Sequence, residues 1–510
     1  MMLHAAILPI LLPFAAALLQ LLGSRLDIAY QRGVGLVAAL LGIGVALWLV
    51  QLADTDITLV YQLGNWSAPF GIVLVADRLA AGMVLLTALL AGVALLYATA
   101  GFDRQGRHFH PLFQLQIVGL QGAFLTGDLF NLFVFFEIML LASYALLAYG
   151  GGIARTRAGL AYVVLNLVGS ALFLIALGML YGTLGTLNLA DMAQRLPLLD
   201  DSVVAPVRLA AALLIAVFAL KAALLPLSFW LPHTYASAGA PVAALFVMMT
   251  KVGIVAIFRV QAIAFSTASA TADMFDGWLL VLALATVAFA ALGALAATRL
   301  RDLAAWLVLG SAGTLLLVPT FPSVAVTAAA LYYLFQSTFV AAALFLLAEL
   351  IAERRGTAAD SFQSGPQFDT TWLVLAFLLT AASAAGLPPF SGFIGKLMLL
   401  SALGASPAVA AIWGVLLISG LLVLLALSRG GSRMLWSRRR IPIHATAPGS
   451  GWRSVAATLL LVSPSVLLVL FASPISDYAV RTAAQLHTPQ TYVSAVLGAS
   501  GSQVKRTRRP

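Results

Sequence analysis

Apolar segments long enough to cross a bilayer recur along almost the whole chain. A membrane-spanning helix needs about 20 predominantly apolar residues, and about fourteen windows of the sequence meet this condition. Charged residues are 9% of the chain, whereas a soluble domain has about 25%. The sequence therefore predicts an all-α polytopic membrane protein and excludes a soluble globular one. The predicted spans are 3–22, 31–53, 72–99, 110–127, 129–150, 157–184, 205–235, 240–264, 277–299, 302–320, 324–352, 371–404, 407–428 and 453–473.

Positive charge is confined mainly to alternate loops between these spans. Arg25, Arg104, Arg155 and Arg299 lie in one set of loops, and the other set is neutral or acidic, as at Asp54. Arginine-rich loops usually stay in the cytoplasm. The net charge of +10 therefore indicates membrane orientation and not a nucleic-acid partner. An even number of spans would put both termini outside, although the basic C-terminal tail leaves an odd number open.

Two predicted spans, 205–235 and 371–404, are longer than a bilayer requires and contain internal prolines. Both are expected to be broken helices, and the segments that begin at Pro226 (PLSFWLPH) and Pro389 (PFSGFIGK) are similar. Five spans separate the two, so the second copy would be inverted, as in many transporters with a site near the midplane. We predict an N-terminal three-helix segment at 1–109, inverted five-helix repeats at 110–264 and 277–428, and a cytoplasmic loop, last span and tail at 429–510.

Three of the four lysines lie inside predicted spans, although the chain has twenty-four arginines. These are Lys221, Lys251 and Lys396. A charged residue at the bilayer centre costs about 2.5–3.5 kcal/mol on insertion scales and usually marks a functional site. Lysine changes protonation readily when buried, and arginine does not. The choice of lysine indicates proton handling, and snorkelling or structural pairing is the alternative.

Glu137 is the acidic residue placed deepest in a predicted span. Burial favours a neutral lysine, whereas a nearby carboxylate favours the ammonium. We predict a Glu137–Lys221 pair, whose separation would pass a proton towards Lys251 and Lys396. A structural ion pair that fixes helix packing is the alternative.

Other polar side chains could extend this path. His233 follows the first break, and histidine titrates near neutral pH, although a satisfied loop histidine would look the same. Tyr162, Asn166 and Ser170 recur every four residues on one face of span 157–184. They could hold a chain of water, or they could only join helices by hydrogen bonds.

The chain contains no cysteine. Disulfides, thiolate metal sites and cysteine-ligated iron–sulfur clusters are therefore excluded. The six histidines are not placed to sandwich a haem, so we expect neither a cofactor nor a bound metal.

Three segments carry a family resemblance: TGDLFNLFVFFE from Thr126, KAALLPLSFWLP from Lys221 and GLPPFSGFIGK from Gly386. Together they resemble the proton-translocating membrane subunits shared by respiratory complex I and Mrp-type cation/proton antiporters. The likeness extends over about residues 70–430. Within the family, TGDLFNL is most similar to the D subunits of the Mrp (Pha) type.

The resemblance implies fourteen spans with two inverted repeats, a working pair of Glu137 and Lys221, a central Lys251, and Lys396 on the exit side. It also implies a secondary transporter, not an enzyme. Such a subunit would work with other membrane subunits in a bacterial inner membrane, exchanging Na⁺ or K⁺ for H⁺. A redox-driven subunit of complex I or of a membrane-bound hydrogenase, and a purely structural subunit, are the alternatives.

One departure from the family pattern lies in span 324–352. Gln336 and Ala341 stand where many relatives carry a histidine and a lysine. The link between the last two buried lysines is therefore expected to use Gln336, Ser337, Thr338 and water.

Overall fold

The computed structural model of the chain describes residues 4–55, 57–265, 271, 274, 277–365, 370–436 and 451–506. Part of the predicted cytoplasmic loop, residues 437–450, lies outside this range. The helices are α1 (Leu8–Leu22), α2 (Ile28–Ala53), α3 (Arg78–Ala98), α4 (Phe109–Leu125), α5 (Leu129–Ala148), α6 (Ile153–Leu184), α7 (Leu189–Arg195), α8 (Asp201–Lys221), α9 (Trp230–Ser237), α10 (Ala240–Val260), α11 (Trp278–Ala296), α12 (Leu300–Leu315), α13 (Val324–Arg355), α14 (Thr371–Ala385), α15 (Ser391–Ala402), α16 (Val409–Leu435), α17 (Trp452–Val462), α18 (Pro464–Leu470), α19 (Ala472–Leu486) and α20 (Pro489–Arg506).

The protein is a nearly all-helical, multi-pass membrane protein. Ten helical segments of the described chain are long and apolar enough to cross a membrane, and α1, α14 and α15 are shorter apolar helices. Every predicted span overlaps between one and three consecutive helices, which confirms the predicted fold class. The total of fourteen spans and the inverted repeats stay predictions.

One segment departs from the all-α prediction. Strands β1 (Leu59–Gln62) and β2 (Val73–Ala76) form an antiparallel hairpin between α2 and α3. The helix in the predicted span 72–99 therefore begins later than predicted, at Arg78, because the first residues of this span form β2. Asp77 starts α3 as its N-cap by accepting a hydrogen bond from the Ala80 amide at 2.8 Å.

The first predicted break is present between α8 and α9. Proline cannot donate a backbone hydrogen bond and clashes with the preceding turn, and Pro226 lies in this break. Side chains bind the freed backbone groups. The Trp230 indole donates to the Leu220 carbonyl at 3.1 Å, and the Leu225 amide donates to Thr286 Oγ1 at 3.1 Å.

The second predicted break lies between α14 and α15. Gly386 ends α14 with a φ of 82°, a left-handed conformation that glycine adopts without steric cost. Ser391, the first residue of α15, is 3.1 Å from the Ser383 hydroxyl of α14. Gln336 of α13 also donates to the Ser383 hydroxyl, at 3.3 Å. Side-chain hydrogen bonds therefore join α13, α14 and α15 at this break.

Helix α10 lies at the centre of the molecule, and every one of its residues is buried. Gly253 allows α10 to approach the end of α8, because a methyl group there would stand 2.9 Å from the Ala222 nitrogen. The helix that carries Lys251 is thus packed directly against the first break.

Candidate functional site

Lys221 is the last residue of α8 and is only 4% exposed. Its Nζ donates a hydrogen bond to Asn166 Oδ1 on α6 at 3.2 Å. The Phe136 ring lies 5.7 Å from the same atom, a cation–π distance. The first break thus ends with a buried ammonium group held by a neutral amide and an aromatic face.

Glu137 lies half-buried on α5. Its carboxylate accepts a hydrogen bond from Ser170 Oγ on α6. Glu137 and Lys221 form no direct ion pair in the described structure, but both are hydrogen-bonded to side chains of α6. The two predicted partners are therefore neighbours joined through α6.

The polar face of α6 provides this connection. Ser170 binds the carboxylate and Asn166, one turn earlier, binds the ammonium. Asn166 Nδ2 donates to the Tyr162 carbonyl at 2.8 Å, and the Tyr162 hydroxyl lies 2.8 Å from Ser143 Oγ on α5. Side chains that the sequence suggested for a water chain are thus joined to the acid and the lysine directly.

Lys251 is completely buried in α10. Its Nζ donates to Ser311 Oγ on α12 at 2.6 Å. An ammonium group has three donors, and this serine is its only hydrogen-bond partner in the described structure. The central lysine therefore lies in a largely apolar environment with one hydroxyl beside it.

Lys396 is on α15, six residues into the helix that follows the second break. Its Nζ donates to the Ala385 carbonyl at 2.9 Å and to the Ala384 carbonyl at 3.4 Å. These carbonyls belong to the last turn of α14, where intrahelical donors are missing. Gly386 makes room for this side chain, because a methyl group there would approach Lys396 Cδ to 2.8 Å.

Two cavities border the same lysine. The smaller has a volume of about 60 Å³ and the larger of about 380 Å³. Both are lined by Thr314, Tyr333, Lys396 and Gly420, and only the smaller reaches Ser311. Lys396 therefore borders space that can hold water.

The side chains suggested on α13 form hydrogen bonds with their own helix and with α14. Gln336 Nε2 donates to the Ser383 carbonyl at 3.3 Å as well as to the hydroxyl of the same residue. The hydroxyls of Ser337 and Thr338 donate to the Leu334 carbonyl at 3.2 and 2.7 Å. Within the described residues, none of the three bonds to a lysine.

His233 is exposed on α9. It makes no hydrogen bond with the described residues. It lies near Asp302 of the neighbouring helix α12. The histidine therefore lies at the arginine-rich end of the helices and apart from the buried lysines.

A buried carboxylate anchors the arginine-rich side of the first half. Asp103, between α3 and α4, accepts from Arg32 Nε at 2.6 Å and lies 3.1 Å from His110 Nε2. Burial opposes ionisation, but these hydrogen bonds outweigh it and lower the pKa of the Asp103 carboxyl.

Asp360, after α13, has the same role in the second half. It accepts from Arg299 Nη2 and Arg301 Nε, both at 3.1 Å. Burial opposes ionisation here as well, but the two arginines outweigh it and lower the pKa of the Asp360 carboxyl. In the described residues, no group of three or more histidine, aspartate or glutamate side chains could hold a metal ion.

Sequence reasoning missed Ser143, Ser311, Ser383 and Ser391. Each is a hydroxyl inside a predicted span or break, which is the only signal that could have drawn attention to it. Most such hydroxyls bond only to their own helix, so the sequence does not separate these four from the others.

The comparisons with known proteins agree with this architecture. The family model described as NADH:quinone oxidoreductase/Mrp antiporter, TM, matches residues 126–424. The probable D subunit of a K(+)/H(+) antiporter from Rhizobium meliloti (strain 1021) is 41% identical, over 98% of this chain and 99% of its own length. The D subunit of a Na(+)/H(+) antiporter from Bacillus subtilis (strain 168) is 35% identical, over 96% and 99%.

Solved structures show the same fold. A chain of the Mrp complex from Dietzia sp. DQ12-45-1b matches with a TM-score of 0.85 and 27% identity, over 97% of this chain and 99% of that one. A chain of respiratory complex I from Thermus thermophilus with bound NADH matches with a TM-score of 0.76 and 27% identity, over 96% and 100%.

The fold is that of a polytopic membrane subunit of the kind found in both assemblies. The chain belongs to the NADH:quinone oxidoreductase/Mrp antiporter transmembrane family, and its curated relatives above are D subunits of cation/proton antiporters. This confirms the family predicted from the three sequence segments.

Proposed function

We propose that this chain is the proton-translocating D subunit of a multisubunit Na⁺ or K⁺/H⁺ antiporter in a bacterial inner membrane. Relatives at 41% and 35% identity bear the names of such subunits. The observation that carries the proposal is the placement of three lysines inside membrane helices, each donating to an oxygen near a break or at the centre. Buried lysine is suited to gaining and losing a proton.

The proposed path runs from Glu137 through Lys221 and Lys251 to Lys396. A charged Glu137 favours the ammonium form of Lys221, and a protonated or displaced Glu137 lets burial favour the amine, which releases a proton. Gly253 holds α10 against the end of α8, so the proton leaves beside the helix that carries Lys251. His233 would serve at the mouth of the path.

The exposed face of α5 supports a hetero-oligomer. Phe130, Val134 and Leu141 are exposed on this face, and the half-buried Glu137 lies among them. A carboxylate open to lipid is costly. We therefore propose that another membrane subunit covers this face, and that transport requires the assembled complex in its bilayer.

The test is cation-dependent proton movement in everted vesicles that contain the whole set of subunits in an antiporter-deficient host. Lys221→Arg keeps a positive charge beside Glu137 but does not release a proton. We expect Lys221→Arg and Glu137→Gln to assemble and lose transport. Asp27→Asn, which changes an exposed carboxylate in the loop after α1, is the control and should transport as wild type.

The outcomes separate the rival functions. Full transport by assembled Lys221→Arg and Glu137→Gln complexes would contradict the proton path and favour a purely structural subunit. A wild-type complex without any Na⁺ or K⁺ response would favour a redox-driven subunit of complex I or of a membrane-bound hydrogenase. The likeness to Thermus thermophilus complex I makes this the second candidate.

A further inference from the structure

The connection between Lys251 and Lys396 is the least supported step of the proposed path. The α13 side chains that the sequence suggested bond to their own helix and to α14, as described above. Helix α12, which the sequence did not suggest, passes between the two lysines and contributes side chains next to both. The link is therefore to be sought on α12.

Ser311 is the residue of α12 that is hydrogen-bonded to Lys251. It is buried, and its Oγ accepts from Lys251 at 2.6 Å while donating to the Val308 carbonyl at 2.7 Å. A hydroxyl has one donor and two acceptor lone pairs. Ser311 can therefore receive a proton from the lysine and pass its own proton on after a rotation about its C–O bond.

The cavity of about 60 Å³ is lined by both Ser311 and Lys396. A buried water needs about 10–15 Å³ of such space and two to four polar partners, so a few waters fit. Thr314 and Tyr333 supply further polar groups to its lining. Thr314 Oγ1 donates to the Gly310 carbonyl at 2.9 Å, which leaves its oxygen free to accept.

We infer that Ser311, together with water that Thr314 helps to hold in this cavity, carries the proton between Lys251 and Lys396. The inference rests on the proposed function, whose path it completes. The ammonium of Lys251 gives one proton to Ser311 Oγ, the hydroxyl proton of Ser311 passes to the cavity water, and a water proton passes to the Lys396 amine. One proton moves in total, and only bonds to hydrogen change.

This route requires neither a histidine nor a lysine on α13. Gln336 is placed to hold α14 and α15 together through Ser383, not to accept a proton. The Tyr333 hydroxyl, one turn earlier on α13, approaches the Thr314 side chain. Helix α13 thus lines the cavity with Tyr333, and α12 lines it with Ser311.

The test uses the assembled complex in the vesicle assay. Ser311→Ala removes the hydroxyl and is expected to slow transport by about tenfold, or about 1.4 kcal/mol of barrier. Ser311→Thr keeps a hydroxyl and should restore most of the rate, which a loss of packing alone would not. Thr380→Val, which removes a buried hydroxyl bonded to its own helix at 2.7 Å, should leave the rate unchanged.

Gly420→Ala tests the cavity itself. A methyl group at this position would stand 3.8 Å from Lys396 Nζ with no closer neighbour, so the variant should fold. It takes space that the inferred water needs and is expected to slow transport by about threefold.

The result that would overturn the inference is a wild-type rate in Ser311→Ala and in Gly420→Ala while Lys221→Arg is inactive. The proposed function would then stand without this link. Loss of transport in Gln336→Leu together with a wild-type rate in Ser311→Ala would also overturn it and assign the link to α13. Full transport in Lys221→Arg would instead refute the proposed function.

Discussion

The two helix breaks place a lysine in different surroundings. Lys221 comes before its break and donates to Asn166 of α6. A second side chain of α6, Ser170, donates to the carboxylate of Glu137. Lys396 comes after its break, donates to backbone carbonyls and borders two cavities. Similar sequence segments have thus produced one site beside a counter-charge and one site beside space for water.

This difference suits the two breaks to different steps of proton transfer. An ammonium near a carboxylate keeps its proton until the pair changes, so the first break is suited to switching. Carbonyl oxygens and nearby water hold a charge without a titratable partner, so the second break is suited to handing a proton on. The variants below test whether the two breaks differ in packing, charge and hydrogen bonding.

The largest effect is expected from close packing at the second break. A methyl group at Gly392 would overlap the Ser383 carbonyl, whereas one at Gly253, beside the first break, would stand 2.9 Å from the nearest atom. Gly392→Ala should therefore lower the free energy of unfolding by about 1–3 kcal/mol or more, and Gly253→Ala by less. Thermal unfolding in detergent measures both.

Gly414→Ala is the control for both variants. It has no neighbour within 4 Å and should be neutral or slightly stabilising, because alanine favours a helix over glycine by about 0.5–1 kcal/mol. Equal unfolding temperatures for Gly392→Ala and Gly414→Ala would show that the second break is loosely packed.

The next effect concerns charge. Lys221→Met leaves Glu137 without its nearby cation and should lower stability by about 1–3 kcal/mol. Lys396→Met removes a half-buried ammonium whose hydrogen-bond partners in the described structure are neutral carbonyls, so we expect a neutral or stabilising change. Thermal unfolding of the two variants checks the difference in sign.

The double variant Glu137→Gln/Lys221→Met tests the reason for that difference. It removes both charges at the first break and should recover part of the stability lost in Lys221→Met. A change of the same sign and size in Lys221→Met and Lys396→Met would mean that Glu137 does not distinguish the two sites.

The breaks and the buried lysines could be predicted from the sequence because each has a local signature. A lysine inside an apolar window is costly wherever its partners lie, and Pro226 and Pro389 interrupt a helix through their own covalent structure. Long apolar windows predicted the fold class for the same reason. These features do not depend on which helices become neighbours.

The partners of the lysines could not be predicted in this way. Ser311 and Ser337 are both serines in apolar helices, but one accepts from a lysine of another helix and the other bonds only to its own. Their difference comes from the packing of α12 beside α10, which involves residues far apart in sequence. The β1–β2 hairpin was missed because its strands are only four residues long.

A smaller effect on the free energy of unfolding is expected when the serines two positions after Pro226 and Pro389 lose their hydroxyl groups. Ser391 is hydrogen-bonded to Ser383, whereas Ser228 is buried and its hydroxyl has no partner in the described structure. Ser391→Ala should therefore cost about 0.5–1.5 kcal/mol, and Ser228→Ala should be neutral or stabilising. Equal losses in thermal unfolding would show that Ser228 has a hydrogen bond in the membrane.

The last comparison concerns how stability changes with pH at the arginine-rich ends of the two halves, outside the spans. The pKa values of Asp103 and Asp360 lie below their usual 3.8, since burial is outweighed by Arg32 and His110 in one case and by Arg301 and Arg299 in the other. Such a carboxyl adds stability above its unfolded pKa, and this contribution is lost as pH falls through the folded pKa.

Asp360→Asn removes the contribution of this carboxyl in the second half, and Asp103→Asn removes it in the first. The gap in unfolding temperature between each variant and wild type should therefore be constant near neutral pH and shrink below about pH 4. Unfolding measured at several values between about pH 3 and pH 7 checks this. A gap that shrinks for one aspartate and stays constant for the other would show that the two halves differ in their anchors as well as in their breaks.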